Sequence, residues 1–187
     1  AHLRPAVMEL LDAPALERIS AYLGEQTIRD AFGAAGGAAY LLVQFDGPTA
    51  AGDAETAATV IAESGGTVRV AGDAAEGERL LAIRRAFHPA LAASGTVLIE
   101  DVSVPRSRMP EMFAAIERIS ERHGVPIPTV AHAGDGNLHP NFVAPGDEIA
   151  PAVWEAAGEL FRAAMELGGT LTGEHGVGVL KRRWLAE

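Results

Sequence analysis

Apolar positions along this chain recur alternately at strand and helix periods, and that alternation predicts an order of elements. Residues 5–11 form a short apolar run expected as a strand, and Pro14 suits the first turn of a helix reaching about Leu23. Residues 33–37, bounded by Gly33 and Gly37, read as a loop. Residues 40–45 read as a buried strand stopped by Asp46-Gly47-Pro48. A helix is predicted over 53–64, closed by Gly65-Gly66, with a strand over 67–71 after it. Asp73 and Glu76 have the spacing of a capping box. They open a helix whose stripe carries Leu80, Ile83, Arg84, Phe87 and Leu91, with His88 one turn after Arg84.

The clearest strand is 97–104, ended by Pro105, after which Ser107 is expected to cap a helix. That helix repeats Met109, Met112, Phe113, Ile116 and Ile119 at core spacing until Gly124. A strand over 127–131 leads into a hairpin, 141–144 leaves it, and a last helix over 151–167 stops at Gly168-Gly169. Strands and helices joined by short antiparallel connections predict an α+β fold, a ferredoxin-like antiparallel sheet with helices packed on one face. Residues 97–167 resemble half or more of such a unit and 5–93 leave room for another, although no sequence repeat marks the duplication. One domain over 1–187 is expected, and its abrupt start at Ala1-His2 and end at Ala186-Glu187 suggest truncation at both ends.

Composition narrows the chemistry. The formal net charge of −10 argues against nucleic acid or an anionic membrane as the main partner. With no cysteine, disulfides and thiolate ligands are excluded, so any metal must be held by nitrogen and oxygen. No apolar run approaches the ~20 residues of a membrane span and no secretory pattern opens the chain, so a cytoplasmic location is expected.

The hairpin carries His132-Ala133-Gly134-Asp135-Gly136-Asn137-Leu138-His139. A turn at Asp135-Gly136, or a four-residue loop that keeps the same register, sets His132 opposite His139, Cβ atoms about 4.5–5.5 Å apart, with Asn141 on the face of His139. Two imidazoles so placed can grip a metal ion, or they are two unrelated histidines in a turn. A second stretch, residues 169–185, is Gly-rich and ends in basic residues, but it is neither the dinucleotide fingerprint nor a P-loop. It reads either as a helix-terminal loop before a basic helix or as the rest of a site. In the second reading Glu174 supplies a carboxylate, completing a His132, His139, Glu174 metal set with positions left open. His175, directed elsewhere, is placed to exchange a proton with whatever the metal holds. Arg84 either extends outward along its stem or aims its planar fork at a carboxylate. A metal, a base and an arginine suit a hydroxylated carboxylate.

The hairpin motif, with Gly173-Glu174-His175-Gly176-Val177-Gly178 and Lys181-Arg182 about 40 residues later, resembles a known family. It is the C-terminal half of FAD-linked 2-hydroxy-acid dehydrogenases of the vanillyl-alcohol oxidase superfamily, which includes glycolate oxidase D subunits, D-lactate dehydrogenases and D-2-hydroxyglutarate dehydrogenases. Residues 3–12 and Asp101-Val102-Ser103-Val104-Pro105 are also similar, so the resemblance spans the chain. It implies a cap and substrate domain closing over FAD held by a separate N-terminal domain that these residues do not include. It further implies a divalent metal, often zinc, on His132, His139 and Glu174, and His175 as the base. Arg84, Asn141 and Lys181 are implied as substrate-binding, and no flavin-contacting residue is assigned. Ile99 stands where some relatives have a substrate-binding lysine and His88 where a threonine stands, so the hydroxy acid is left open.

The expected partners are a small 2-hydroxy acid and an electron-acceptor protein or quinone, the latter linking the protein to the inner-membrane periphery. A homodimer or a multi-subunit oxidase complex is the expected assembly. Two other classes stay open: a metal-binding module without catalysis, and a metal-dependent hydrolase. By itself the chain is expected to be inactive, because it lacks the FAD domain.

Overall fold

The computed structural model describes residues 3–32, 39–144, 146 and 148–185, so the loop expected at 33–37 and the chain ends lie outside the described residues. Its elements are β1 (Val7–Asp12), α1 (Ala13–Leu23), α2 (Glu25–Phe32), β2 (Ala39–Gln44), α3 (Ala50–Glu63), α4 (Ala74–Arg85) and α5 (Phe87–Ala92). They continue with β3 (Thr96–Ile99), β4 (Val102–Ser103), α6 (Met109–His123), β5 (Thr129–His132), β6 (Asn137–Ala144) and α7 (Pro151–Glu166). All strands join one antiparallel sheet in the order β2-β1-β5-β6-β3, with β4 also pairing β6.

The α+β antiparallel sheet is as expected, but the two halves of the chain place their helices on opposite faces. Alternation along β5 and β6 sends Ala131, Leu138 and Phe142 toward α6 and α7, where Met112, Ile116, Leu160 and Phe161 complete one core. Val130 and Val143 point the other way, joining Leu11, Ile19, Ile83, Phe87 and Leu91 under α1, α4 and α5. The central strands β5 and β6 are therefore covered on both faces rather than one. Among the described residues the first half contributes β1 and β2 to the sheet, without a second complete ferredoxin-like unit.

Other departures have local causes. The segment 67–71 makes no strand among the described residues, and Arg69 instead binds Glu76 and the Ala31 carbonyl. The helix expected through Leu91 divides at Ala86, because Pro89 has no N–H to continue α4 and is tolerated only in the first turn of α5. Ser107 sits within a 3-10 turn, Arg106–Arg108, and α6 begins after it with no side-chain cap. The strand expected over 97–104 is interrupted at Glu100-Asp101. Its register on β6 is unchanged across the gap, which sets Glu100 opposite Pro140 and Asp101 opposite His139. The Glu100 N–H donates to the Pro140 carbonyl at 3.1 Å, but proline has no N–H to return, so the ladder opens there.

Asp12 joins β1, α1 and β5 by accepting the Ala15 N–H at 2.8 Å and the Thr129 N–H at 3.0 Å. Burial nevertheless pushes its carboxyl up to about 6, against those two hydrogen bonds. A carboxyl whose folded pKa exceeds its unfolded value binds more protons when folded, so its share of stability is fully present below about pH 4 and is lost as pH rises through 6. Denaturant unfolding of wild type against Asp12→Asn is therefore expected to show wild type losing up to about 3 kcal/mol relative to the variant between pH 4 and 7. A pH-independent difference would overturn this.

Candidate functional site

The hairpin turn takes four residues, 133–136, closed by the Gly136 N–H donating to the His132 carbonyl at 3.1 Å. This pairs His132 with Asn137 and Val130 with His139, two places from the register expected for a two-residue turn. An even shift preserves side-chain parity, so His132, Asn137, His139 and Asn141 still share one face. His132 and His139 meet diagonally, ring centroids 5.0 Å apart and nearly perpendicular. Gly136 makes the turn possible: its φ is +82°, and a Cβ there would lie 2.1 Å from the Val104 carbonyl oxygen.

That face belongs to the α1, α4 and α5 side, beyond the end of their core, and the loop after α7 folds down onto it. Thr170 and Ser103 exchange backbone hydrogen bonds, the Thr170 N–H to Ser103 O at 2.8 Å and the Ser103 N–H to Thr170 O at 3.2 Å. The loop then comes so close to β6 that a Cβ on Gly173 would lie 2.1 Å from Asn137 Oδ1. Glu174 and His175 thereby reach the histidines. Glu174 Oε1 lies 3.1 Å from His139 Nε2 and 3.4 Å from His132 Nε2, and the three candidate ligand atoms all lie within 4.8 Å of one another. Donors held tetrahedrally about 2.1 Å from one ion stand roughly 3.4 Å apart, so the two histidine-to-glutamate separations fit a shared metal. His139 suits that use, since burial, with His132 adding to it, pulls its pKa down to about 4 and keeps the imidazole neutral at pH 7.

His175 does not point away, as expected from its neighbour's role. Its ring stacks on His139 at 4.9 Å and 22°, with Nε2 3.7 Å from Glu174 Oε1. Arg84 comes to the same place from α4 and neither extends outward nor lacks a partner: its Nε donates to Glu9 Oε2 at 2.9 Å. The His88 pKa is lowered by partial burial, with Arg84 and His175 near enough to add to it. Asn141 is fully buried on the face of the histidines, its Nδ2 donating to the His139 carbonyl at 2.7 Å.

Lys181 is not brought to the pocket. Its buried ammonium donates to the Asp101 carbonyl oxygen at 2.7 Å, to the Leu171 carbonyl oxygen at 3.0 Å and to Asp101 Oδ1, and it sits 5.3 Å from the Phe161 ring centroid. All three of its donors are engaged in the protein interior, with Glu100 Oε2 also 3.6 Å away. Asp101, which motif reading did not assign, is the group it serves. Asp101 Oδ2 accepts the consecutive N–H groups of Gly173 at 2.6 Å, Glu174 at 2.6 Å and His175 at 3.0 Å. Burial pushes its carboxyl up, but Lys181 and the His175 and Glu174 N–H groups outweigh that and hold it well below the usual carboxylate range. The signal was present as Glu100-Asp101, two acids inside an apolar strand run.

These features define an antiparallel α+β domain that presents a His, His, Glu cluster beside a third imidazole and a carboxylate-held arginine. The chain belongs to the family described as FAD linked oxidases, C-terminal domain, whose family model matches residues 1–187. It is 38% identical to glycolate oxidase subunit GlcD of Bacillus subtilis over 97% of this chain and 38% of that protein. Escherichia coli GlcD is 35% identical over 75% of this chain and 29% of its own length. The D-lactate dehydrogenase of Archaeoglobus fulgidus is 31% identical over 98% of this chain and 39% of its own length. The chain thus spans well under half of these relatives. Among the described residues no helix is long and apolar enough to cross a membrane.

Proposed function

We propose that this chain is the substrate-binding part of an FAD-dependent oxidoreductase that converts a D-2-hydroxy acid, of the glycolate or D-lactate type, to the 2-oxo acid. The observation that carries the reading is the convergence of His132, His139 and Glu174 on one point with His175 stacked beside it. Relatives named glycolate oxidase and D-lactate dehydrogenase support the substrate class.

His132, His139 and Glu174 would hold a divalent ion, with zinc suited to nitrogen and oxygen donors. When bound, the ion supplies Lewis-acid polarisation of the substrate hydroxyl and FAD, held by a separate domain, supplies the two-electron acceptor. This chain's residues do the rest. Arg84 pairs with the substrate carboxylate, Asn141 adds polar contact on the face of His139, and His175 takes the hydroxyl proton at Nε2. The substrate loses that proton and a hydride from the same carbon unit, and the electrons pass on to an acceptor protein or quinone.

The test uses the full-length gene product. It is expected to carry FAD, to contain about one divalent ion per chain, and to reduce a dye acceptor with glycolate or D-lactate. The double variant His132→Ala/His139→Ala should lose the ion and turnover. A full-length protein without flavin would overturn the reading. So would metal content unchanged in the double variant, or acceptor-independent hydrolysis by the metal-loaded protein.

A further inference from the structure

One carboxylate holds both the metal-ligand candidate His132 and the substrate cation Arg84. Glu9 divides its two oxygens between them, Oε1 lying 2.6 Å from His132 Nδ1 and Oε2 accepting from Arg84 Nε at 2.9 Å. The arrangement is built into the sheet, because Glu9 and His132 are directly paired across β1 and β5 and alternation sends both to the site face. It is also largely shielded from water, since the Glu9 and Arg84 side chains are 14% and 16% exposed. A carboxylate needed only to pair with Arg84 has no use for a second bond to an imidazole. A carboxylate on Nδ1 of a ligating histidine has a definite one: it keeps the proton on Nδ1 and turns the Nε2 lone pair toward the metal. In this chain Nε2 is the atom that faces Glu174.

We propose that Glu9 is the positioning residue that couples the two halves of the site, locking His132 as the Nδ1–H tautomer for metal and fixing the Arg84 fork for a carboxylate. The proposal rests on the metal reading of His132, His139 and Glu174. The Glu9 carboxylate lies between the Arg84 guanidinium and the His132 ring, so it offsets positive charge on both sides. Nothing in the local sequence announces this, since Glu9 is one acid within the otherwise apolar residues 7–11.

The full-length protein tests it in three measurements. In the metal-free wild type, nitrogen-15 NMR of the histidine rings is expected to show His132 protonated on Nδ1 alone. Chelator competition with Zn2+ is expected to show Glu9→Gln, which keeps size and polarity but not charge, binding 10–100-fold more weakly than wild type. The same variant should show a mixed His132 tautomer while its melting temperature stays near wild type. Glu9→Ala should lose at least as much affinity, with Glu9→Gln deciding the matter where the alanine variant unfolds.

Zn2+ affinity lost in His132→Ala but unchanged in Glu9→Gln would overturn the role of Glu9 and leave the metal site standing. Zn2+ affinity unchanged in His132→Ala would overturn both. A neutral wild-type His132 ring whose single proton sits on Nε2 rather than Nδ1 would overturn the proposal with no variant at all.

Discussion

Replacing Asp101 with alanine is expected to produce the largest loss of stability of any single change near the site, together with loss of metal binding. The side chain is fully buried, and its two oxygens serve different masters. Oδ2 gathers three successive N–H groups of the loop that carries Glu174 and His175, while Oδ1 pairs with the buried ammonium of Lys181. Removing it strands three donors and takes from the buried Lys181 ammonium the nearer of its two carboxylates, leaving Glu100 Oε2 3.6 Å away, a change that typically costs up to about 3–5 kcal/mol. For a domain of this size that lowers the melting temperature by roughly 6–20 °C, read by calorimetry. Glu174 and His175 lose their anchor at the same time, so Zn2+ affinity should fall with stability. Asp101→Asn, which keeps one acceptor oxygen, should fall between the alanine variant and wild type.

The pH dependence follows from the sign of the shift. A carboxyl held below its unfolded value of 3.8 contributes stability that is fully present above that value and disappears as pH falls toward the folded one. The loop is therefore expected to loosen in wild type only below about pH 4. An alanine variant with wild-type melting and metal affinity would overturn this account of Asp101.

The second large effect is expected from His175→Ala in the full-length flavoprotein. General-base assistance contributes about 10²–10⁴-fold, so kcat should fall by that factor while flavin and metal content stay at wild-type levels. Because the ring stacks on His139, a loss of packing must be separated from a loss of base; His175→Gln keeps bulk without an equivalent base. Both variants should lose the limb of the pH–rate profile that belongs to the base, and the residual rate should climb with hydroxide. A fall of less than tenfold with the limb retained would assign the proton to another group. Outside the His132, His139, Glu174 set, a titratable neighbour is His88, whose pKa is lowered by burial, by Arg84 and by His175.

The resemblance to flavin-linked oxidases was legible because its motifs are local strings. The four candidate residues His132, His139, Glu174 and His175, which the structure brings together, were legible the same way. Asp101 and Glu9 could not, since each acts on a partner far along the chain: Glu9 on His132 123 residues later, Asp101 on His175 74 residues later. The burial of Lys181 against Asp101 was hidden for the related reason that a motif records which residue recurs, not which way its side chain is buried.

The sequence by itself determined the amphipathic helices α6 and α7, strands β1 and β2, and the alternation that puts both hairpin histidines on one face. These rest on short-range periodicity and survive a two-residue change of register. Half of the capping box was also legible: Asp73 accepts the Glu76 N–H at 2.7 Å, while the Glu76 carboxylate takes the Gly72 N–H rather than returning to Asp73. Only the tertiary structure decided the four-residue turn, the break of β3 from β4 opposite Pro140 and the second helical layer over the sheet. It also decided which carboxylates hold Arg84, His132 and the Glu174-His175 loop. Those depend on which strands become neighbours and which buried charges must find partners, and neither is settled until distant segments of the chain are packed together.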